Sequence, residues 1–279
     1  RWALNDDHSF NFLLGQEGID YQSSGFQVST QGQNNDRLTN LLTGTRATSW
    51  PDSNSAYSYL SFFFRGEYNY KDLYYAEVAA RTDASSRFGA DHRWGMFWSL
   101  GFMWNIKNEA FLKDIEWLTS AQVKLSTGTS GNSEIPYYDH LALVSGDANY
   151  NDEAGIYPSQ SGNEELSWEQ TWANNVGVSF GLYNRVNVNV DFYHKKTTNM
   201  LMLVPQSYAI TGVGNRWDNI GAMMNRGVEI AIDGDVIRTK DFTWNLSANV
   251  SYNKNKLLEL YNGVEEYVNS TTGLKYVVG

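Results

Sequence analysis

Long stretches of this chain alternate between apolar and polar residues with a period of two, the pattern of a β-strand with two different faces. In the clearest run, apolar side chains occupy every second position from Phe242 to Tyr252, with Thr, Asn or Ser between them. Comparable runs begin near Phe10, Leu60, Tyr74, Met96, Trp117, Trp172, Val186 and Val228. They predict an all-β, antiparallel protein with about nine strands of roughly 9–14 residues.

Charged residues within these runs fall on the polar face. They are Arg65, Glu67, Glu77, Arg81, Lys124, Glu169, Asp191, Glu229 and Asp233. A basic residue that faces lipid at mid-membrane costs about 2–4 kcal/mol, so a membrane barrel needs this segregation. The pattern therefore predicts the wall of a transmembrane β-barrel. Five residues depart from it: Phe63, Phe97 and Met103 on the polar face, and Gln170 and Asn174 on the apolar face.

The connections between the predicted strands alternate between short and long. Short or moderate turns are predicted at residues 71–72, 107–115, 184–185 and 238–240, and long polar loops at 21–56, 84–92, 128–167, 198–225 and 254–279. Outer-membrane barrels divide periplasmic turns from extracellular loops in this way. The same topology predicts two aromatic belts. One contains Tyr68, Tyr70, Tyr74, Trp104, Trp117, Tyr183 and Trp244, and the other contains Tyr57, Trp94, Trp98, Trp172, Tyr193 and Tyr252.

Composition narrows the possible functions. A net charge of −10 disfavours nucleic acid as a partner, and the absence of cysteine excludes thiol catalysis and Cys-ligated zinc. The sequence contains no run of eighteen apolar residues, so it predicts no transmembrane helix. Its first residues do not resemble a signal peptide. Both ends interrupt a strand pattern, so we expect the chain to be part of a longer protein. A soluble β-sandwich or barrel remains the alternative, although its loops rarely approach forty residues.

Several ordered motifs resemble those of the SusC/RagA-like family of TonB-linked outer-membrane proteins. The most distinctive is Arg81-Thr82-Asp83-Ala84-Ser85-Ser86-Arg87-Phe88-Gly89, which is followed by Arg93-Trp94-Gly95-Met96-Phe97-Trp98. Others are Lys124-Leu125-Ser126-Thr127-Gly128, Asn163-Glu164-Glu165-Leu166-Ser167-Trp168-Glu169, Thr197-Thr198-Asn199-Met200-Leu201, Asn225-Arg226-Gly227-Val228-Glu229 and Asn253-Lys254-Asn255-Lys256. Each motif alone is weak, but their common order from about residue 57 to 260 is specific.

The resemblance implies that residues 1–279 are part of the β-barrel domain of a TonB-dependent receptor in the outer membrane of a Gram-negative bacterium. The complete barrel would have about 22 strands. The plug domain and the terminal strands are expected to lie outside this sequence. The implied partners are a SusD-like lipoprotein over the extracellular mouth, TonB acting through the plug, an oligosaccharide or peptide substrate, and membrane lipid or lipopolysaccharide.

No catalytic or metal-binding constellation is predicted. The four histidines share no ligand spacing, and no acidic segment completes a calcium loop. Because nothing positions a catalytic triad either, the chain is not expected to be an enzyme or to hold a cofactor. In the family-like signature, Arg81, Asp83 and Arg87 are expected to form a structural charge network at the barrel rim, with Gly89 in the turn above.

Aromatic residues in long polar loops are the candidates for substrate contact. They are Trp50, Tyr137, Tyr138, Tyr150 and Trp217. Flat rings beside amide side chains suit sugars, although belt anchoring or loop packing explains such residues equally well. The sequence therefore favours import of oligomeric nutrients, glycans before peptides. The alternatives are a siderophore or vitamin receptor of the same architecture and a soluble β-rich carbohydrate-binding or adhesin domain.

Overall fold

The computed structural model describes residues 2–5, 7–37, 39–49, 52–268 and 273–279. Its first nine strands are β1 Trp2–Asn5, β2 His8–Phe26, β3 Ser29–Gln31, β4 Arg46–Ser49, β5 Asp52–Tyr70, β6 Tyr74–Ser85, β7 Trp94–Trp104, β8 Leu118–Asn132 and β9 Leu143–Tyr150. The others are β10 Glu153–Gln160, β11 Glu169–Leu182, β12 Val186–Thr198, β13 Leu201–Pro205, β14 Asn215–Asn219, β15 Ala222–Arg238, β16 Thr243–Glu259, β17 Glu266–Val268 and β18 Lys275–Val277.

Helical structure is limited to short connections. There is one α-helical turn, α1 Tyr208–Thr211, and three 3₁₀ turns, Leu41–Thr43, Ile106–Asn108 and Tyr261–Gly263. Among the described residues, no helix is both long and apolar enough to cross a membrane.

Ten strands form one antiparallel sheet in the order β1-β2-β5-β6-β7-β8-β11-β12-β15-β16. Each strand pairs with the next sheet strand along the chain, so the sheet is an up-and-down meander. The other strands form the hairpins β3–β4, β9–β10, β13–β14 and β17–β18 within the long connections, all at one end of the sheet. The all-β antiparallel prediction is confirmed. It missed β1, which is too short to show a period, and it left these hairpins as loops.

The register of the strands keeps one face of the sheet apolar throughout. One cross-strand row runs through six strands, by way of Phe102, Leu125, Val176, Phe192, Val228 and Tyr252. Five of these six side chains are exposed, with Phe192 at 54% and Tyr252 at 64%, and Val228 is half-buried. A continuous exposed apolar surface of this kind requires an apolar environment, as the wall of a membrane barrel has.

Large residues on the polar face lie over glycines. A Cβ atom at Gly15 would overlap the ring of Phe63, and one at Gly131 would overlap the ring of Phe97. Phe97 also packs edge-to-face on Trp168, with ring centroids 5.4 Å apart, and is 8% exposed. These two exceptions to the alternation are therefore rings that fill space left by glycines on neighbouring strands.

Aromatic rings gather at both ends of the apolar face. At the short-turn end, Tyr74 stacks with Tyr70 and with Trp104 at centroid distances of 6.3 and 6.2 Å. Tyr57 and Tyr193, however, were wrongly predicted to join the belt at the loop end. The register places both on the polar face, where the Tyr193 hydroxyl donates to Asn253 Oδ1 at 3.0 Å.

Candidate functional site

An arginine organises the polar face where β2, β5 and β6 run side by side. Arg81 donates from Nε to Asp83 Oδ1 at 2.6 Å and from Nη2 to Glu17 Oε2 at 2.9 Å. It also donates to Ser61 Oγ at 2.9 Å, and its guanidinium lies 5.3 Å from the Phe63 ring centroid. One cation thus bridges two carboxylates and a hydroxyl, and these contacts join β2, β5 and β6 on the polar face.

The network borders a depression of about 660 Å³ on the polar face. Its lining is mainly apolar and aromatic, with Leu13, Ile19, Tyr59, Phe97 and Trp168, and it also includes the hydroxyl groups of Ser99, Ser130 and Ser133. A second depression, of about 460 Å³, lies across β11, β12, β15 and β16. It is lined by Asn175, Asp191, Tyr193, Lys195, Asn225, Glu229 and Asn253. The polar face therefore combines charged, amide and hydroxyl groups, which line the second depression, with rings and aliphatic side chains, which predominate in the first.

Arg87 lies apart from the Arg81 network, at the loop end of the sheet. Its side chain is 7% exposed, and Nη1 donates to the carbonyl oxygens of Ser133 and Ile135 at 3.2 and 3.0 Å. The guanidinium also lies 4.9 Å from the ring centroids of Tyr57 and Tyr137. A buried cation that meets carbonyls and ring faces joins two segments of the chain.

Phe88, the residue after Arg87, packs with Ile135 and Leu166 in a small buried core, which we call the rim core. Three partly buried residues pack against the rim core: Trp168, Leu201 and Trp217. Phe88 and Leu166 are 0% exposed. Gly89 brings the backbone of this loop against that of Glu164. A Cβ atom at Gly89 would overlap the Glu164 carbonyl oxygen and lie 2.9 Å from its carbon. Only glycine permits this approach.

Polar contacts join the loops around the rim core. Asn219 Oδ1 accepts from the Ser167 backbone N–H at 2.7 Å, and Asn219 Nδ2 donates to the Ser167 carbonyl at 2.8 Å. Asn163 Nδ2 donates to the Trp217 carbonyl at 3.0 Å, and Trp168 Nε1 donates to the Arg93 carbonyl at 2.8 Å. Three connections of the sheet, β6–β7, β8–β11 and β12–β15, are thereby held together.

Two titratable groups are covered by the same loops. Burial raises the pKa of the Asp139 carboxyl, and a hydrogen bond from Trp217 opposes that shift. Burial lowers the pKa of His140. Within the described residues, no group of three or more His, Asp or Glu side chains is placed to hold a metal ion.

Comparison with known proteins interprets the two faces of the sheet. Residues 1–278 match the model of the family described as TonB dependent receptor-like, beta-barrel. The chain belongs to this family. The barrels of the family are outer-membrane proteins of Gram-negative bacteria, so the apolar face is the lipid side and the polar face is the lumen side of the wall.

Individual relatives agree with this assignment. The chain is 38% identical to TonB-dependent receptor P39 of Formosa agariphila, over 92% of this chain and 25% of the relative. It is 32% identical to TonB-dependent receptor SusC of Bacteroides thetaiotaomicron, over 92% of this chain and 26% of the relative. The solved RagAB peptide transporter matches 100% of this chain and 31% of its own, with 35% identity and a TM-score of 0.91. The chain thus spans about a quarter of the length of its curated relatives.

The structure brings three of the five predicted substrate-contact aromatics to the rim of this TonB-dependent receptor barrel. Tyr137 is half-buried against Arg87, and Trp217 packs on the rim core. Tyr138 is 37% exposed, and its hydroxyl accepts from the Ala56 backbone N–H at 2.8 Å. Trp50 lies outside the described residues, and only the backbone of Tyr150, at the end of β9, is described.

The sequence reasoning missed the residues that hold this rim together. Phe88, Ile135 and Leu166 are apolar residues within loops, so no periodicity marks them. Phe88 and Leu166 each stand out as a single large apolar residue in a short polar stretch, whereas Ile135 is followed by Pro136, Tyr137 and Tyr138. Arg87 was grouped with Asp83 on sequence proximity, whereas its ion-pair partner in the structure is Glu134, at 3.3 Å.

Proposed function

We propose that this chain is a wall segment of a TonB-dependent outer-membrane importer of oligomeric nutrients, with glycans as the first candidate. One observation supports the proposal most. The sheet has charged, amide and hydroxyl groups on its lumen side and a continuous row of apolar side chains on its lipid side. The same chain is 32% identical to SusC over 92% of the chain.

The lumen side suits passage of an oligomer. Its polar groups are distributed over the sheet in shallow depressions, and conduction requires contacts that are numerous and individually weak. Amide and hydroxyl groups such as Asn175, Asn225 and Ser99 offer hydrogen bonds to sugar hydroxyls. No bond is made or broken in this mechanism, so we propose no enzymatic role.

The aromatic residues of the long loops lie beyond the lumen side, at the rim of the barrel. We propose that Tyr138 contacts substrate at the rim, because more than a third of its surface remains exposed. Tyr137 packs against Arg87, and Trp217 packs against the rim core. We propose that these two residues position the loop that presents Tyr138 to the substrate. Trp50 and Tyr150 stay proposals from their positions in long loops.

Two partners belong to the proposal. A SusD-like lipoprotein would close the extracellular mouth and deliver ligand, and TonB would act through a plug inside the barrel. The support for both is the likeness of this chain to SusC and to RagAB.

Peptides are the second candidate substrate. The likeness to the RagAB peptide transporter at a TM-score of 0.91 favours them, as do the separated charges Glu17, Lys124 and Asp191 on the lumen side. A siderophore substrate lacks such support, because the receptor PirA of Acinetobacter baumannii is 14% identical and shares the fold alone. Family membership and the exposed apolar row argue against a soluble domain.

The test uses the full-length protein in an outer membrane, with labelled oligosaccharides and peptides offered separately and TonB present or deleted. We expect uptake of one class that disappears without TonB. Glu229→Ala, on the lumen side, should raise the half-saturating substrate concentration, whereas its neighbour Ile230→Ala, on the lipid side, should leave it unchanged. Correctly localised protein that imports neither class in a TonB-dependent manner would disprove the proposal.

A further inference from the structure

Cations on the lipid-facing side of the sheet are confined to one corner. Within the described strands, alternation and register place Lys196, Arg226, Lys254 and Lys256 on that side. The other Lys and Arg residues of the same sheet face the lumen or lie beside a turn: Arg65, Arg81, Lys124, Lys195 and Arg238. The neighbouring strands β12, β15 and β16 therefore carry all the outward-facing cations of the described sheet.

The strand register brings these groups together. His194 pairs with Arg226, and Arg226 pairs with Lys254, so the three form one cross-strand row. In the next row, Met224 lies between Lys196 and Lys256. Directly opposed residues have Cβ atoms about 4.5–5.5 Å apart, so each row spans only about 10 Å.

The cations stand directly beyond the apolar surface. The row of His194 and Arg226 follows the row of Phe192, Val228 and Tyr252 by two residues along each strand, which is about 6.6 Å. It lies toward the end of the sheet that carries the long loops, the extracellular end of an outer-membrane barrel. This is the level at which hydrocarbon gives way to lipid headgroups.

No carboxylate neutralises the cluster within the described residues. Arg65, Arg81 and Arg216 each form an ion pair with an acidic side chain, but none of the four outward cations does. Lys196, Arg226 and Lys254 are exposed, and Lys256 is half-buried. Like charges on adjacent strands destabilise a sheet, so the cluster is most stable with an anion bound. Glu259, paired with Ala222, lies one row farther toward the rim.

We propose that this cluster binds the phosphate groups of a phosphorylated glycolipid of the outer leaflet, a lipopolysaccharide-type headgroup. Arg and Lys pair with phosphate through charge-assisted hydrogen bonds, and basic clusters at the membrane surface bind anionic headgroups. The acyl chains of the same lipid would lie over Phe192, Val228 and Tyr252, which favours a lipid over a soluble anion. The inference rests on the outer-membrane placement in the proposed function.

The test measures binding of diphosphoryl lipid A to the full-length protein in a mild detergent, with dephosphorylated lipid A as the second probe. The variant is Arg226→Gln with Lys254→Gln. The matched control is Lys124→Gln with Lys195→Gln, which removes the same charge from the lumen side. Heat-modifiable gel migration verifies that both variants form barrels.

We expect the outward variant to bind diphosphoryl lipid A about thirty-fold more weakly, since each of the two cations near a membrane surface contributes about fivefold. The lumen-side control should bind as the parent does, and dephosphorylated lipid A should bind weakly to all three. Equal affinity of the two variants, or equal binding of both lipids, would overturn the inference. Because no transport is measured, failure of the proposed substrate class would leave this result intact, and membrane fractionation reports separately on the placement.

Discussion

Replacement of Gly89 by alanine should open the rim core. The added methyl group would overlap the Glu164 carbonyl oxygen and would lie 2.9 Å from the carbonyl carbon. Ordinary contact begins at 3.4 Å, so the Glu164 peptide must move by at least 0.5 Å. Leu166, which is 0% exposed, lies two residues farther and moves with it. Overpacking of this kind costs about 1–3 kcal/mol, which increases the population of the open loop by about 5- to 140-fold.

Hydrogen–deuterium exchange of the full-length protein measures that population. The informative amides are those of Leu166, which donates to the Asn163 carbonyl, and of Ser167, which donates to Asn219 Oδ1. Both should exchange faster in Gly89→Ala, while amides of the β11–β12 pairing should not change. Gly146→Ala is the matched control, because nothing lies within 4 Å of its added Cβ. Equal exchange in the two variants would refute the assigned role of Gly89.

Three further predictions concern the wall and the rim. Gly131→Ala should destabilise the barrel by about 1–3 kcal/mol in urea unfolding, and adding Phe97→Ala should cost less than the sum of the two changes. Val190→Lys, on the lipid side, should lower the stability in vesicles by about 2–4 kcal/mol, whereas the neighbouring lumen-side Asn189→Lys should not. For His140, whose pKa burial lowers from 6.5, the folded rim binds a proton less readily than the unfolded chain. The free energy of opening of the rim, measured by hydrogen exchange of the Leu166 and Ser167 amides, should therefore fall as the pH drops below 6.5. In an Asp139→Asn background, His140→Gln should abolish that fall.

The alternation of side chains was sufficient to predict the sheet. Runs such as Phe242 to Tyr252 state which side chains share a face, and loop lengths alone assigned the direction of the strands. The strand ends were less predictable. β2 and β5 pair through 19 positions to Phe26 and Asp52, well beyond the roughly 9–11 residues that cross a bilayer. Above the membrane both faces are polar, so the pattern loses its contrast.

The contacts of the rim were not predictable from periodicity. They join positions far apart in the chain, such as Arg87 with Ile135 and Ser167 with Asn219, and no local pattern states which loop meets which. The same holds for Phe63 and Phe97. Each is an apolar residue on a polar face, and the strand register explains it, because Gly15 lies beneath the ring of Phe63 and Gly131 beneath the ring of Phe97.

The reciprocal bonds between Asn219 and Ser167 have a consequence for how such barrels diversify. A transplant of residues 133–168 from a relative would leave Phe88 and Asn219 facing foreign neighbours, so the recipient would lose the fit of two loops that were not exchanged. Recombination at this mouth should therefore succeed only when several loops are inherited together. We expect insertions into a single loop to be tolerated at hairpin tips such as Asn151 and Asp152, which make none of these contacts.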